Sequence, residues 1–240
     1  MKSKPYISLI CLALILFSCE NETKITFQEI GITAKGNSIV SINIPEASGS
    51  IEVANNVNET ISNTIKSVLN FGEIGEDSNE SIEDLIIKFN DEFNTFNNDF
   101  PDSVQEWDAQ IDGDVMYQSS EVISIALTSY INTGGAHGIL TITLLNFNSE
   151  TGIQISNNNL FSDLDKIKNI AKPYFKKTIN DENVSVFNED EFELPANIGF
   201  EEDGILMLYN TYEVAPYASG IIQFTIPFNE IDSFLVFNGS

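Results

Sequence analysis

Tyr130-Ile-Asn-Thr-Gly-Gly-Ala-His-Gly138 joins two apolar, strand-like runs, residues 121–131 before it and 139–147 after it. Three glycines free the backbone to turn there, and the chain's only histidine, His137, sits among them. A second segment, Tyr212-Glu-Val-Ala-Pro-Tyr-Ala-Ser-Gly220, has the same make-up of aromatic residues, small residues and glycine. Both read as places of close backbone approach. The candidate binding residues are Tyr130, Asn132, Thr133, Gly134, Gly135, His137 and Gly138 in the first, and Tyr212, Glu213, Pro216 and Tyr217 in the second.

Working outward, residues 104–111 and 115–119 are expected as strands preceding 121–131 in a meander, with Asp112-Gly-Asp114 as their turn and a polar turn at 146–152. Asp108, Asp112 and Asp114 are spaced loosely like part of a calcium loop, but Ser119 stands where its terminal acidic ligand belongs, so turn chemistry is preferred. Upstream, 25–33 and 38–44 read as strands around a Lys35-Gly-Asn37 turn, because residues 39–44 alternate in period 2. Residues 45–49 are expected to break that pattern. Two amphipathic helices follow. The first carries Val57, Ile61, Ile65, Val68 and Leu69; the second has Ser81 as its cap and a stripe of Ile82, Leu85, Ile86, Phe89, Phe93 and Phe96. That stripe is a face packed on a sheet or the lining of a hydrophobic groove.

Downstream, residues 162–179 form a third predicted helix, which Pro173 should kink or split. It carries five of the eleven lysines, Lys166, Lys168, Lys172, Lys176 and Lys177, as a solvated face or as a dock for an anionic glycan or lipid head group. Strands at 198–200, 205–212 and 221–226 follow, with an acidic turn at 201–204 and a short closing helix or turn within 227–237. The fold class is α+β: a mostly antiparallel sheet with two N-terminal helices and one later helix packed against it.

The net charge is −25, and every basic residue is a lysine. Such a chain repels nucleic acid and offers no guanidinium clamp for phosphate. A partner steered by charge is therefore basic; the plainer alternative is that acidity keeps the protein soluble. No cofactor is expected.

At the N-terminus, Lys2 and Lys4 precede an apolar run over residues 6–17, shorter than the roughly 20 residues of a membrane span. It ends in Leu16-Phe17-Ser18-Cys19, which resembles a bacterial lipobox. Residues 1–18 are expected to be a lipoprotein signal peptide, Cys19 the lipidated residue and 19–24 a tether; an ordinary signal peptide is the alternative. That places the protein in the cell envelope, anchored to the outer membrane. Cleavage would remove Cys11 and leave no internal disulfide.

The ordered motifs carry a family resemblance. They run from Tyr130 and Asn132-Thr-Gly-Gly-Ala-His-Gly138 through Phe147-Asn and Gly152, Leu160-Phe161, and Gly204-Ile-Leu-Met-Leu-Tyr209 to Tyr212–Gly220 and Ile226-Pro-Phe228. The series resembles the extracytoplasmic domain shared by RsiV-type anti-sigma factors and the non-catalytic N-terminal region of PdaC-type peptidoglycan deacetylases. The resemblance divides the chain into a PdaC-like half, 25–102, and an RsiV-like domain, 103–240. It implies a non-catalytic binding module near the cell wall, with a lysozyme-like basic protein or a peptidoglycan fragment as partner. The opposing class is an envelope hydrolase using His137 as general base, with Ser119, Ser120 or Thr133 supplying a hydroxyl. No nucleophile elbow, paired metal-ligating histidines or phosphate loop accompanies it.

Overall fold

The computed structural model describes residues 25–70, 80–103, 105–188 and 191–237. The proposed signal, Cys19 and the tether lie outside the described residues.

Six strands form one sheet in sequence order: β1 (Thr26–Ile32), β2 (Val40–Ser48), β3 (Trp107–Gln118), β4 (Val122–Thr133), β5 (Ile139–Asn148) and β6 (Gln154–Ile155). Four of its five pairings are antiparallel. β2 and β3 run parallel, which requires a long crossover, supplied by α1 (Ile51–Leu69) and α2 (Ile82–Asp99). The sheet is therefore mixed, and the two halves drawn from the resemblance share it.

Both helices follow from their patterning. α1 buries Val53, Ala54, Val57, Ile61, Ile65 and Leu69, a stripe at spacings of three and four. At the start of α2, the Ser81 hydroxyl accepts from the Asp84 N–H while the Asp84 carboxylate accepts from the Ser81 N–H, a reciprocal capping box. These hydrogen bonds hold the Asp84 carboxyl below the usual carboxylate range.

Two expected breaks are continuous strand. β2 runs through Pro45 to Ser48, paired with β1 throughout. Its pairing with β3 stops at Asn43, so beyond that point no β3 ladder needs the N–H that proline lacks. Asp112-Gly-Asp114 is not a turn but the middle of β3, with Gly113 opposite Leu127 of β4. Glycine is there because a Cβ would lie 2.6 Å from the Pro45 ring and 2.9 Å from the Leu127 side chain. The aspartates belong to an extended strand, where Asp112 accepts from Asn43 and Asp108 from Gln110. Among the described residues, no three His, Cys, Asp or Glu side chains gather as a metal site.

The second layer is a three-stranded antiparallel sheet, β7 (Asn197–Glu201), β8 (Gly204–Tyr209) and β9 (Ile222–Pro227), backed by α3 (Leu164–Asp181). The expected strand 205–212 ends at Tyr209, because Asn210 turns away and Tyr212 takes φ +69°. α3 begins with an Asp163 cap and passes through Pro173 as one helix rather than two. Its inner face, Ile167, Ala171 and Phe175, stays buried on both sides of the proline, and this packing offsets the missing hydrogen bond. The short closing helix or turn expected within 227–237 is a four-residue helix, α4 (Phe228–Ile231), so the α-helices among the described residues number four where the expected architecture named three. Its Ile231 is buried in the same core as α3. Of α3's lysines, Lys168 meets the Glu193 carboxylate, the one ion pair among the described residues.

The sheets meet across a seam that the apolar patterning conceals. At its start β4 is buried on both faces: Ile123, Ile125 and Leu127 enter the α1–α2 core, while Val122 and Ser124 face the second layer. The Ser124 hydroxyl, fully buried, donates to Asn146 Oδ1 at 2.8 Å and accepts from the Phe200 N–H at 3.0 Å. Asn146 Nδ2 donates to the Ile198 carbonyl at 2.7 Å. Further along, Asn197 Oδ1 accepts from the Leu144 N–H, and the Asn210 amide bonds both backbone groups of Ile142. Leu144, Leu206 and Leu208 fill the space between. Side-chain amides thus dock β7 and the end of β8 onto β5 without a shared ladder.

Candidate functional site

The β4–β5 hairpin and the loop after β8 converge at one end of the molecule. Asn132 Oδ1 accepts from the Gly134 N–H, and Gly134 then takes φ +83°. A Cβ on Gly138 would lie 2.4–2.5 Å from the Tyr130 ring, so that glycine lets the tyrosine close over the hairpin. Gly135 has far more room, its nearest neighbour being the His137 carbonyl oxygen at 3.8 Å. Thr133 is the last residue of β4.

The second loop is locked by Glu213. Its carboxylate accepts from the Ala196 N–H at 2.7 Å and the Asn210 N–H at 2.9 Å, tying together the approaches to β7 and the loop. Pro216 then starts a 3-10 turn that presents Tyr217. The Tyr217 ring stacks on His137, centroids 3.7 Å apart and planes 14° apart, and its hydroxyl donates to the Gly138 carbonyl at 2.9 Å. Tyr212 lies against Tyr217, ring centroids 5.7 Å apart, with 55% of its surface exposed. Ile139 and Leu140, the first residues of β5, are also exposed. The two segments therefore meet through the Tyr217–His137 stack with Tyr212 beside it, while Ile139 and Leu140, adjacent in a strand, project to opposite faces of the sheet.

The same geometry describes the histidine. Its Nδ1 lies 3.3 Å from the Gly138 carbonyl oxygen and its ring is covered on one side by Tyr217. Among the described residues no hydroxyl or carboxylate hydrogen-bonds the imidazole. Ser119 and Ser120, expected as hydroxyl partners, sit at the β3–β4 turn, the opposite end of a twelve-residue strand. Thr133 is near in sequence but makes no hydrogen bond to the ring.

Two tyrosine hydroxyls make hydrogen bonds in the layer behind this end. Tyr209 donates to the Glu193 carbonyl at 2.6 Å; burial, then the Glu213 and Glu193 charges, push its ionisation well above the ordinary tyrosine value. Tyr174 donates to Glu230; that bond, then burial, raises it to about 12. A raised native pKa contributes stability in full below the unfolded value of about 10 and loses it as pH rises beyond that. An absorbance titration near 295 nm should show Tyr174 and Tyr209 ionising late, with the thermal midpoint falling above about pH 10. A titration unchanged by Tyr174→Phe and Tyr209→Phe at its alkaline end would contradict this.

Trp107, the chain's only tryptophan, was not among the expected site residues. It opens β3 opposite Thr133, beside the hairpin, and Gln105 just before it packs under Gly134. Three rings of α2 surround it: Phe89 at 5.5 Å, Phe93 at 5.9 Å and Phe96 at 5.8 Å between centroids. Its indole N–H is buried and has no hydrogen-bond partner among the described residues. The signal in the sequence was a lone tryptophan following a phenylalanine stripe longer than one packed face requires.

A two-layer α+β module with paired loops at one end is a known architecture. Residues 32–140 match the family model described as Deacetylase PdaC, and residues 157–229 match that of a Protein of unknown function, DUF3298. Among solved structures, a member of the DUF3298 family from Bacteroides fragilis superposes with a TM-score of 0.62 at 19% identity, covering 90% of this chain and 95% of its own. A DUF3298 family protein from Pseudomonas aeruginosa gives 0.58 at 16% identity, covering 89% and 94%. Identities this low establish the fold alone. No curated protein matches the chain. The chain is thus similar, in both parts, to the extracytoplasmic domain of RsiV-type anti-sigma factors and PdaC-type deacetylases.

Proposed function

We propose that the protein is a non-catalytic binding module of the cell envelope, anchored through lipidated Cys19, which captures a basic, lysozyme-like protein. The observation that carries the reading is the aromatic cluster of His137, Tyr217 and Tyr212, assembled from segments 79 residues apart and fixed by the Tyr217–Gly138 hydrogen bond. Aromatic groups held rigidly with one side exposed are what interface anchors require, because little side-chain entropy remains to be lost on docking. The net charge of −25 favours a cationic partner and speeds its approach. The imidazole supports this reading over the hydrolase: it serves as a stacking surface and lacks an orienting carboxylate among the described residues.

The experiment is to mix the full chain, in detergent, with lysozyme at about 20 mM and about 150 mM salt and follow the complex by size-exclusion chromatography. A complex is expected at both. None at either overturns lysozyme capture, and one that disappears at the higher salt reduces it to diffuse charge attraction.

A further inference from the structure

We propose that the groove between α2 and the start of β3 is a seat for arginine and lysine side chains of the captured protein. The inference rests on the reading of this protein as a receptor for a basic partner, and it assigns that partner a second point of contact.

The groove has an aromatic floor and an anionic rim. Trp107 and Phe96 form the floor, and Phe100, 59% exposed, stands at its edge with its ring 5.2 Å from that of Phe96. The space measures about 660 Å³, enough for more than one long side chain. Asp91, Glu92 and Asp99 line it against a single lysine, Lys88. Over the whole of α2, five carboxylates face that one lysine. A helix C-terminus carries partial negative charge and is stabilised by bases, yet the last turn of α2 holds Asp99 and no base. The carboxylate is kept where the helix itself is disfavoured by it.

Aromatic faces attract cations through the ring quadrupole, and guanidinium does so while also bonding carboxylates. An apolar guest would leave the rim carboxylates without counter-charge, and an anionic one would be repelled. Position supports the same occupant. Trp107 pairs with Thr133 and Gln105 packs under Gly134, so the groove lies beside the β4–β5 hairpin, on the face of the six-stranded sheet that α2 covers. A basic protein that wraps the hairpin from the loop side would bring cations to α2.

Trp107 is the only tryptophan, so its emission reports occupancy directly. The full chain in detergent is titrated with octa-arginine at about 150 mM salt, a concentration at which diffuse attraction is screened within about 8 Å. A saturable change in Trp107 emission is expected. The Asp91→Asn/Glu92→Gln/Asp99→Asn variant should weaken it at least tenfold, and Phe100→Ser, a change at an exposed position, several-fold. The charge-matched control, Glu150→Gln/Glu202→Gln/Asp203→Asn, lies at the far end of the sheets and should change affinity less than twofold.

Equal weakening by the control overturns the proposal, as does peptide binding with silent Trp107 emission. A signal from neutral chitin oligosaccharides in place of octa-arginine overturns it in favour of a glycan. An emission change with protein concentration alone, accompanied by a doubled mass, overturns it in favour of a second copy. The two readings fail separately. If lysozyme binds normally to the groove variants, the groove falls and the receptor stands. If octa-arginine fills the groove but lysozyme does not bind, the cation seat stands and lysozyme capture falls.

Discussion

Asn146→Leu should unfold about 9 °C below the wild-type chain, a loss of about 3 kcal/mol in a domain of this size. Asn146 is 1% exposed and spans the two layers, bonding Ser124 on β4 and the Ile198 carbonyl on β7. Leucine matches its volume but offers neither donor nor acceptor. The Ile198 carbonyl would lose its bond from the asparagine, and the Ser124 hydroxyl the acceptor of its proton. Each buried polar group left unpaired costs about 1–3 kcal/mol, whereas hydrophobic burial by the added methyls returns less than that in a seam already closed by Leu144. Ser124→Ala alone should cost less, about 1–2 kcal/mol, and the double variant less than the sum, because the two changes break one network. Thermal denaturation of the four chains gives the test. Additive losses would show that the two residues do not act as one network, and an Asn146→Leu chain as stable as wild type would show that apolar packing alone holds the layers.

Gly152→Ala should be the other severe substitution, with a loss of about 3 kcal/mol or more, although it adds one methyl group on a surface turn. The turn after β5 is wound around Asn148, whose Oδ1 accepts from the N–H groups of Glu150 and Thr151, and Gly152 takes φ +69°. A Cβ there would lie 2.3 Å from the Val53 carbonyl oxygen and 2.9 Å from its Cα, both backbone atoms of α1. The turn is seated against the helix, and Asn56 secures it by donating to the Thr151 carbonyl. Gly36 supplies the comparison. It has φ +81° in the β1–β2 turn with nothing within 4 Å of its would-be Cβ. Gly36→Ala should therefore cost only the left-handed strain, about 1–2 kcal/mol. Denaturant midpoints measured side by side separate conformation from close approach. Equal losses at the two positions would mean that the Gly152 turn has room to move off α1.

These two residues illustrate what could be read beforehand. The helices were legible because Val57, Ile61 and Ile65, or Leu85, Ile86 and Phe89, repeat at helical spacing, and Ser81 and Asp84 stand at capping distance. The β4–β5 hairpin and the three late strands were legible from apolar runs separated by glycine or acidic turns. Local punctuation misled at Pro45 and at Asp112-Gly-Asp114. A glycine between aspartates is turn chemistry in isolation, but Gly113 is required by Pro45 and Leu127, neighbours that only the fold supplies. The parallel β2–β3 pairing was equally hidden, since alternation reports a face and not a partner. Ser124 and Asn146 were invisible as structural residues because polar positions on strands ordinarily face water. At the site, the kinship of the two loops was legible, but the stacking of Tyr217 on His137 needed the coordinates. So did Trp107, whose meaning depends on pairing with Thr133.

Docking of a basic protein on the two loops would leave a hydrogen-exchange footprint in the lysozyme complex. Lysozyme should slow exchange at the amides of residues 134–140 and 210–220. The β7–β8 turn and the turn at 149–152, at the other end of the sheets, should exchange as in the free chain. Unchanged exchange in both loops, with protection confined to other surfaces, would contradict it.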